Sequence, residues 1–160
     1  MKKGLMKYWL FKSEPGSFSI DDLAASKNKT THWEGVRNFQ ARNFLRDDVA
    51  RGDLVFFYHS IAKPSGIAGI CEVTRAGYPD HTALDPESKY FDPRASKDNP
   101  IWYMVDVKLR QKFGDIIPLR SLKETPGLEG MMVCQKGSRL SIQPVTAAEW
   151  KIILGIAARL

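Results

Sequence analysis

The sequence predicts an α+β fold: a mostly antiparallel sheet, curled toward a barrel, with flanking helices. Three observations lead there. Runs rich in Val, Phe and Tyr turn back through short loops, stretches of helical spacing stand between and after them, and the regular strand-helix alternation of a doubly wound parallel sheet is absent. With 160 residues and 43% hydrophobic side chains, the chain suits one domain, residues 1–160, that buries most of its unfolded surface.

Tyr8-Trp9-Leu10-Phe11-Lys12-Ser13 is aromatic and apolar on both alternating faces, the pattern of a central strand covered on each side. Pro15 biases Glu14 toward extended backbone, and Ser19-Ile20-Asp21-Asp22 has the Ser-x-x-Asp spacing of a helix start, the helix reaching about Ser26. Asn38 is placed to cap a second helix that runs to about Asp48. Its Ala41, Phe44, Leu45 and Val49 face a core, while Arg42 and Arg46 share the outer side. Leu54–His59 and Gly66–Val73, joined by the turn Lys63-Pro64-Ser65-Gly66, predict a hairpin.

Residues 79–100 hold Pro79, Pro86, Pro93 and Pro100 among polar side chains and predict a long irregular loop. Strand character returns over Ile101–Val107, with Trp102 and Met104 on one face and Tyr103 and Val105 on the other. Ile117–Leu122 turns into a short helix closed by Pro126-Gly127. Arg139–Gln143 reads as a half-polar strand ended by Pro144, with Leu140 and Ile142 inward and Arg139, Ser141 and Gln143 outward. Thr146-Ala147-Ala148-Glu149 is a capping box. It opens a last helix whose apolar stripe is Trp150, Ile153, Leu154 and Ala157.

The net charge of +6 is unevenly spread: residues 1–52 hold 10 basic and 6 acidic side chains, residues 53–107 hold 5 and 8, and residues 108–139 hold 7 and 3. If the two basic ends meet in space, they form one surface able to attract phosphates; otherwise the charge is an ordinary solvated face. There is no run of about 18 apolar residues and no cleavable apolar leader, so the expectation is a soluble intracellular protein, cytoplasmic or, in a eukaryote, nuclear. Cys71 and Cys134 lack a CxxC partner and suit buried thiols in a reducing compartment. His32, His59 and His81 lack metal-ligand spacing. No metal and no cofactor is implied, and a monomer is expected.

The segment Thr31–Leu45 is the richest in chemistry. It gathers Trp33, Gly35, Arg37, Asn38 and Arg42 around a predicted helix start, where free N–H groups and a partial positive charge suit a flat ligand joined to an anion. A nucleotide is such a ligand. Trp33 reads either as a core residue or as a plate for base stacking, Asn38 as a helix cap or a reader of a base edge, and Arg37 as a surface cation or a phosphate contact. Lys12 and Glu14 read either as a salt bridge or as ligand contacts, in which the Glu14 carboxylate accepts from the exocyclic amine of cytosine or adenine and Ser13 both donates and accepts. Tyr58, His59 and Ser60 close a strand, with Tyr58 and Ser60 on one face and His59 on the other. His59 beside Ser60 also admits a hydrolase, although no Gly-x-Ser-x-Gly elbow accompanies them.

Four ordered blocks resemble the EVE domain family: Tyr8–Pro15, Trp33–Asn43, Phe57–Ser60 and Arg139–Val145. Phe39 stands where the family pattern often has Tyr. The resemblance covers nearly the whole chain and implies a PUA-like β-pseudobarrel, the fold shared with YTH and ASCH domains, with a pocket for a modified base of DNA or RNA. It further implies that Lys12, Ser13, Glu14, Trp33, Val36, Arg37, Asn38, Tyr58, His59, Ser60, Arg139 and Ser141 bind the ligand, without catalysis. An accessory role in RNA maturation would use the same pocket.

Overall fold

Side chains along Tyr8–Ser13 alternate between two apolar layers, and this places that strand inside a sheet. The computed structural model describes residues 5–160. Its strands are β1 (Tyr8–Ser13), β2 (Thr30–His32), β3 (Leu54–His59), β4 (Gly66–Pro79), β5 (Tyr103–Pro118) and β6 (Ile142–Val145). The helices are α1 (Ile20–Ala25), α2 (Phe39–Asn43), α3 (Leu119–Glu124) and α4 (Ala147–Ala157), and a π turn, Phe44–Asp48, continues α2.

One sheet of order β2-β5-β4-β3-β1-β6 results, with β1 parallel to β3 and every other ladder antiparallel. Trp9 and Phe11 join Val55, Phe57, Cys71, Val105 and Val107 under α1 and α2 on one face. Leu10 joins Phe56, Tyr58, Ile67 and Ile117 under α4 on the other. There the Trp150 ring stacks 3.8 Å from Phe56 and 4.7 Å from Tyr8. Register shifts along β4 and β5 bend these long strands, which curls the sheet into the expected pseudobarrel.

Both capping boxes form as the sequence predicts, Ser19 with Asp22 at α1 and Thr146 with Glu149 at α4. At α1 the first helical N–H, that of Ile20, is also satisfied, donating to His59 Nε2 at 3.1 Å. Asn38 caps α2 by accepting from the Ala41 N–H at 3.0 Å.

Four element readings need correction. The strands β4 and β5 run on to Pro79 and Pro118, because each supplies hydrogen-bond partners for the other beyond the point where apolar alternation fades. Trp102 precedes its strand, so it does not share a strand face with Met104. Pro144 lies within β6, tolerated because β6 is an edge that needs no N–H on its outer side, and Gln143 is buried, donating to Ser138 Oγ and Leu140 O. Leu154 is exposed; α4 is seated by Trp150 and Ile153, with Ile152, Ile156 and Ala157 against the same layer.

The proline-rich loop is ordered by two buried carboxylates. Asp80 accepts from the Gly35 N–H (2.9 Å), Arg37 Nη1 (3.0 Å), and the N–H and hydroxyl of Thr82. Burial pushes the Asp80 carboxyl up, but the bonds from Thr82, Gly35 and Arg37 together outweigh it and hold the group below the usual carboxylate range. Asp92 accepts from Trp102 Nε1 at 2.8 Å and from Arg94. The loop therefore lies against the 33–37 segment.

Asp80→Ala leaves the Arg37 guanidinium and the Gly35 N–H without their acceptor, and is expected to cost about 3 kcal/mol in urea unfolding at pH 7. A loss below about 1 kcal/mol would contradict the assigned role of the carboxylate. His59 must be neutral to accept the Ile20 N–H, and burial lowers its pKa from the ordinary 6.5, opposed in part by Asp21. Its contribution is then complete above about pH 6.5 and declines as pH falls from there toward the lowered folded pKa, because the unfolded chain binds the proton more readily. Denaturant titrations at pH 7.5 and 5 should show this decline in the wild type, and His59→Gln should reduce it.

Candidate functional site

The C-terminal end of β1, the segment leading from β2 to α2, the proline-rich loop and the approach to β6 meet around an open cleft of about 960 Å³. Its lining includes Lys12, Ser13, Glu14, Trp33, Val36, Arg37, Asn38, Ser60, Arg139 and Ser141. Tyr58 and His59 are not among them. Tyr58 is buried in the opposite layer, where burial raises its hydroxyl to about 12, and His59 points to the start of α1. Alternation along β3 turns Tyr58 to the far layer, His59 is held on the near side by the Ile20 N–H, and Ser60, past the strand end, reaches the cleft.

The lining groups divide by whether their hydrogen-bonding capacity is already used. Arg37 donates all five of its N–H bonds within the protein: Nε and Nη2 to Tyr90 O, Nη1 to Val36 O and Asp80, and Nη2 also to Thr82 Oγ1. This corrects the phosphate reading of Arg37, since no donor is left over. Lys12 donates once to Ser138 O at 3.1 Å, and burial lowers its pKa. Ser13 donates to Phe18 O at 2.6 Å and keeps only its acceptor capacity.

The remaining polar groups have capacity to spare. Among the described residues, no side-chain hydrogen bond or ion pair engages Glu14, Ser60, Arg139 or Ser141, and the Asn38 amide nitrogen has no acceptor. The Lys12–Glu14 salt bridge entertained from the sequence does not form: Lys12 bonds to the Ser138 carbonyl.

Trp33 is 8% exposed, and its ring packs on Phe11 and Phe57 at centroid distances of 5.3 and 5.4 Å. Trp9 and Trp102 donate their indole N–H groups to Asp53 and Asp92, whereas Trp33 has no such acceptor among the described residues. No fully buried side-chain nitrogen or oxygen among those residues is left unpaired, so the Trp33 ring nitrogen keeps some access to solvent, and Trp33 lines the cleft. Of the two readings of Trp33, the core one agrees with its burial, although the residue also lines the cleft.

Tyr90 was hidden from sequence reasoning in the proline-rich loop. Gly35 has φ +83°, and a Cβ there would come within 2.5 Å of the Tyr90 ring, so glycine is required both by the backbone and by this contact. The Tyr90 ring carries Lys89 Nζ at 5.1 Å and Arg37 at 5.5 Å. Phe18, Thr31, His32 and Glu34 also line the cleft; His32 lies 3.4 Å from Glu34. The sequence signal for Tyr90 was slight: an aromatic pair, Tyr90-Phe91, in a loop too long to be idle.

The cleft therefore offers acceptors at Glu14 and Ser13, donors at Trp33 and Asn38, and cations at Lys12, Lys89 and Arg139. Among the described residues no group of three His, Cys, Asp or Glu side chains is arranged to hold a metal, and no helix is long and apolar enough to cross a membrane.

The family model for the EVE domain matches residues 7–156. Human thymocyte nuclear protein 1 is 43% identical over 170 residues, which cover 96% of this chain and 75% of that protein. A solved protein from Pseudomonas putida superposes with a TM-score of 0.89 at 50% identity, covering 94% of this chain and 99% of its own. Human THYN1, solved in complex with DNA containing 5-methylcytosine, superposes with a TM-score of 0.87 at 41% identity, covering 94% and 97%. An ASCH protein from Zymomonas mobilis, 11% identical with a TM-score of 0.54, shares the fold alone. Matched along almost all of its length in both sequence and architecture, this chain belongs to the EVE domain family and has its PUA-like fold.

Proposed function

We propose that this chain is a nucleic-acid-binding reader in which residues 1–160 act as one monomeric domain and receive a modified base, flipped or single-stranded, in the cleft. The observation that carries the reading is the convergence of unused polar groups in one open cleft, with cations among its lining. The likeness to human THYN1, solved with 5-methylcytosine-containing DNA, favours a methylated cytosine among the candidate bases.

In this reading Glu14 accepts from the exocyclic amine that cytosine carries, while the Asn38 amide and the Trp33 N–H donate to acceptors on the base. Ser13, Ser60 and Ser141 adjust to the remaining edge, and Val36, which is buried at the cleft wall, gives a methyl group an apolar neighbour. Discrimination by one methyl group is worth at most a few kcal/mol, so polar contacts hold the base and Val36 refines the choice. Lys12 and Arg139 supply phosphate attraction. Arg37 acts indirectly, by holding Tyr90 and the loop in place.

Binding without bond cleavage is the corresponding chemistry, since the His59 lone pair serves the Ile20 N–H instead of a substrate proton. The defining experiment is a screen of modified nucleosides and matched oligonucleotides at fixed salt, followed by mass spectrometry of the recovered ligands. Saturable binding of a modified nucleoside with unchanged mass is expected; turnover would replace the reader with an enzyme.

Asn38→Asp preserves an oxygen for the Ala41 N–H but removes the free N–H2 group. It should leave stability within about 0.5 kcal/mol while weakening nucleoside binding by about 1–2 kcal/mol. Equal affinity in both proteins would take Asn38 out of the site. Arg139→Ala should lower affinity for all oligonucleotides alike and reduce the slope of log K against log salt by about one unit. A changed preference among bases would instead make Arg139 a base contact.

A further inference from the structure

A second, smaller depression of about 220 Å³ adjoins the cleft. It is lined by Arg37, Lys89, Tyr90, Phe91, Asp92, Arg94 and Trp102, and it shares Arg37, Lys89 and Tyr90 with the main opening. The shared residues form a ridge between the two hollows.

The charges in this depression largely cancel, with one exception. Arg94 is held by Asp92 and Arg37 by Asp80. Lys89, at the ridge, has neither a hydrogen bond nor an ion pair among the described residues and lies over the Tyr90 ring at 5.1 Å. Beyond it Phe91 is 40% exposed, large for a Phe side chain that no hydrophobic layer claims.

An uncommitted cation on a ridge, with an exposed aromatic ring beyond it, matches the repeat of a nucleic-acid strand: base, phosphate, base. We infer that the depression is a subsite for the nucleotide adjacent to the base in the cleft, with the linking phosphate near Lys89 and the neighbouring base against Phe91. This inference rests on the base-reading function proposed above and adds to it that the preferred ligand is at least a dinucleotide. The neighbour is held by stacking, which every base can supply, so the subsite contributes affinity and strand polarity with little sequence preference. Because the depression flanks the cleft on one side, only one of the two neighbours, 5′ or 3′, can reach it.

The test compares 5-methyl-2′-deoxycytidine with its two dinucleotides, carrying thymidine on the 5′ or the 3′ side, by calorimetric or fluorescence titration at one salt concentration. One polarity should bind about tenfold tighter than the nucleoside and the other should not. Phe91→Ala should abolish that gain while leaving nucleoside affinity within twofold, which also reports that the variant is folded; Phe91→Trp should restore it. Nucleoside binding with no gain from either dinucleotide, or a gain that survives Phe91→Ala, would overturn the subsite and leave the base reader standing. Absence of nucleoside and dinucleotide binding alike would remove the base-reading function itself.

Discussion

A carboxylate taken out of water must recover the lost hydration from protein donors, and Asp80 does so with groups from separate parts of the chain: Gly35, Arg37 and Thr82. That requirement fixes more than a local turn. It ties the segment leaving β2 to the loop leaving β4, and Arg37, once held, orients the Tyr90 carbonyl. The cleft wall thus depends on one buried charge whose partners come from its own turn and from the 35–37 segment more than 40 positions earlier. The missing side chain of Gly35 then lets Tyr90 close against the backbone.

The distinction between used and unused hydrogen-bonding capacity separates scaffold from ligand contacts more sharply than residue type does. Arg37 and Arg139 are both arginines at the cleft, yet the first has all of its donors engaged and the second has none engaged among the described residues. Trp9, Trp102 and Trp33 differ in the same way: two indole N–H groups close on carboxylates, and the third, on a residue that lines the cleft, has no acceptor among the described residues. Polar groups left unsatisfied beside a solvent-filled opening are held by water until a ligand replaces it, so they are suited to recognition at small cost to the free protein.

The sheet explains why these groups gather where they do. The strands β1 and β3 run parallel, so Ser13 and His59 lie in register at their common end, and the chain leaves both strands on the same side of the molecule. Pairing of β6 with β1 brings Ser141 and Arg139 to that end as well. That ladder joins β1, in the basic N-terminal segment, to the chain that follows the basic segment 108–139, and the cleft thereby receives Lys12 and Arg139 together.

Local rules determined the capping boxes at Ser19 and Thr146, the Asn38 cap and the doubly buried strand at Tyr8–Ser13, because each depends on neighbours within a few residues and on period-two alternation. The resemblance of the blocks around Lys12–Glu14, Trp33–Asn38 and Arg139–Ser141 located most of the cleft. Tertiary structure alone decided which of those residues remain available. The commitment of Arg37 requires Asp80 and Tyr90, 43 and 53 positions away, and the burial of Trp33 requires Phe11 and Phe57. Tyr58 and His59 left the site because a motif names neighbours along the chain, whereas the fold assigns each its surroundings: strand alternation turns Tyr58 into the layer under α4, and the start of α1 claims the His59 lone pair.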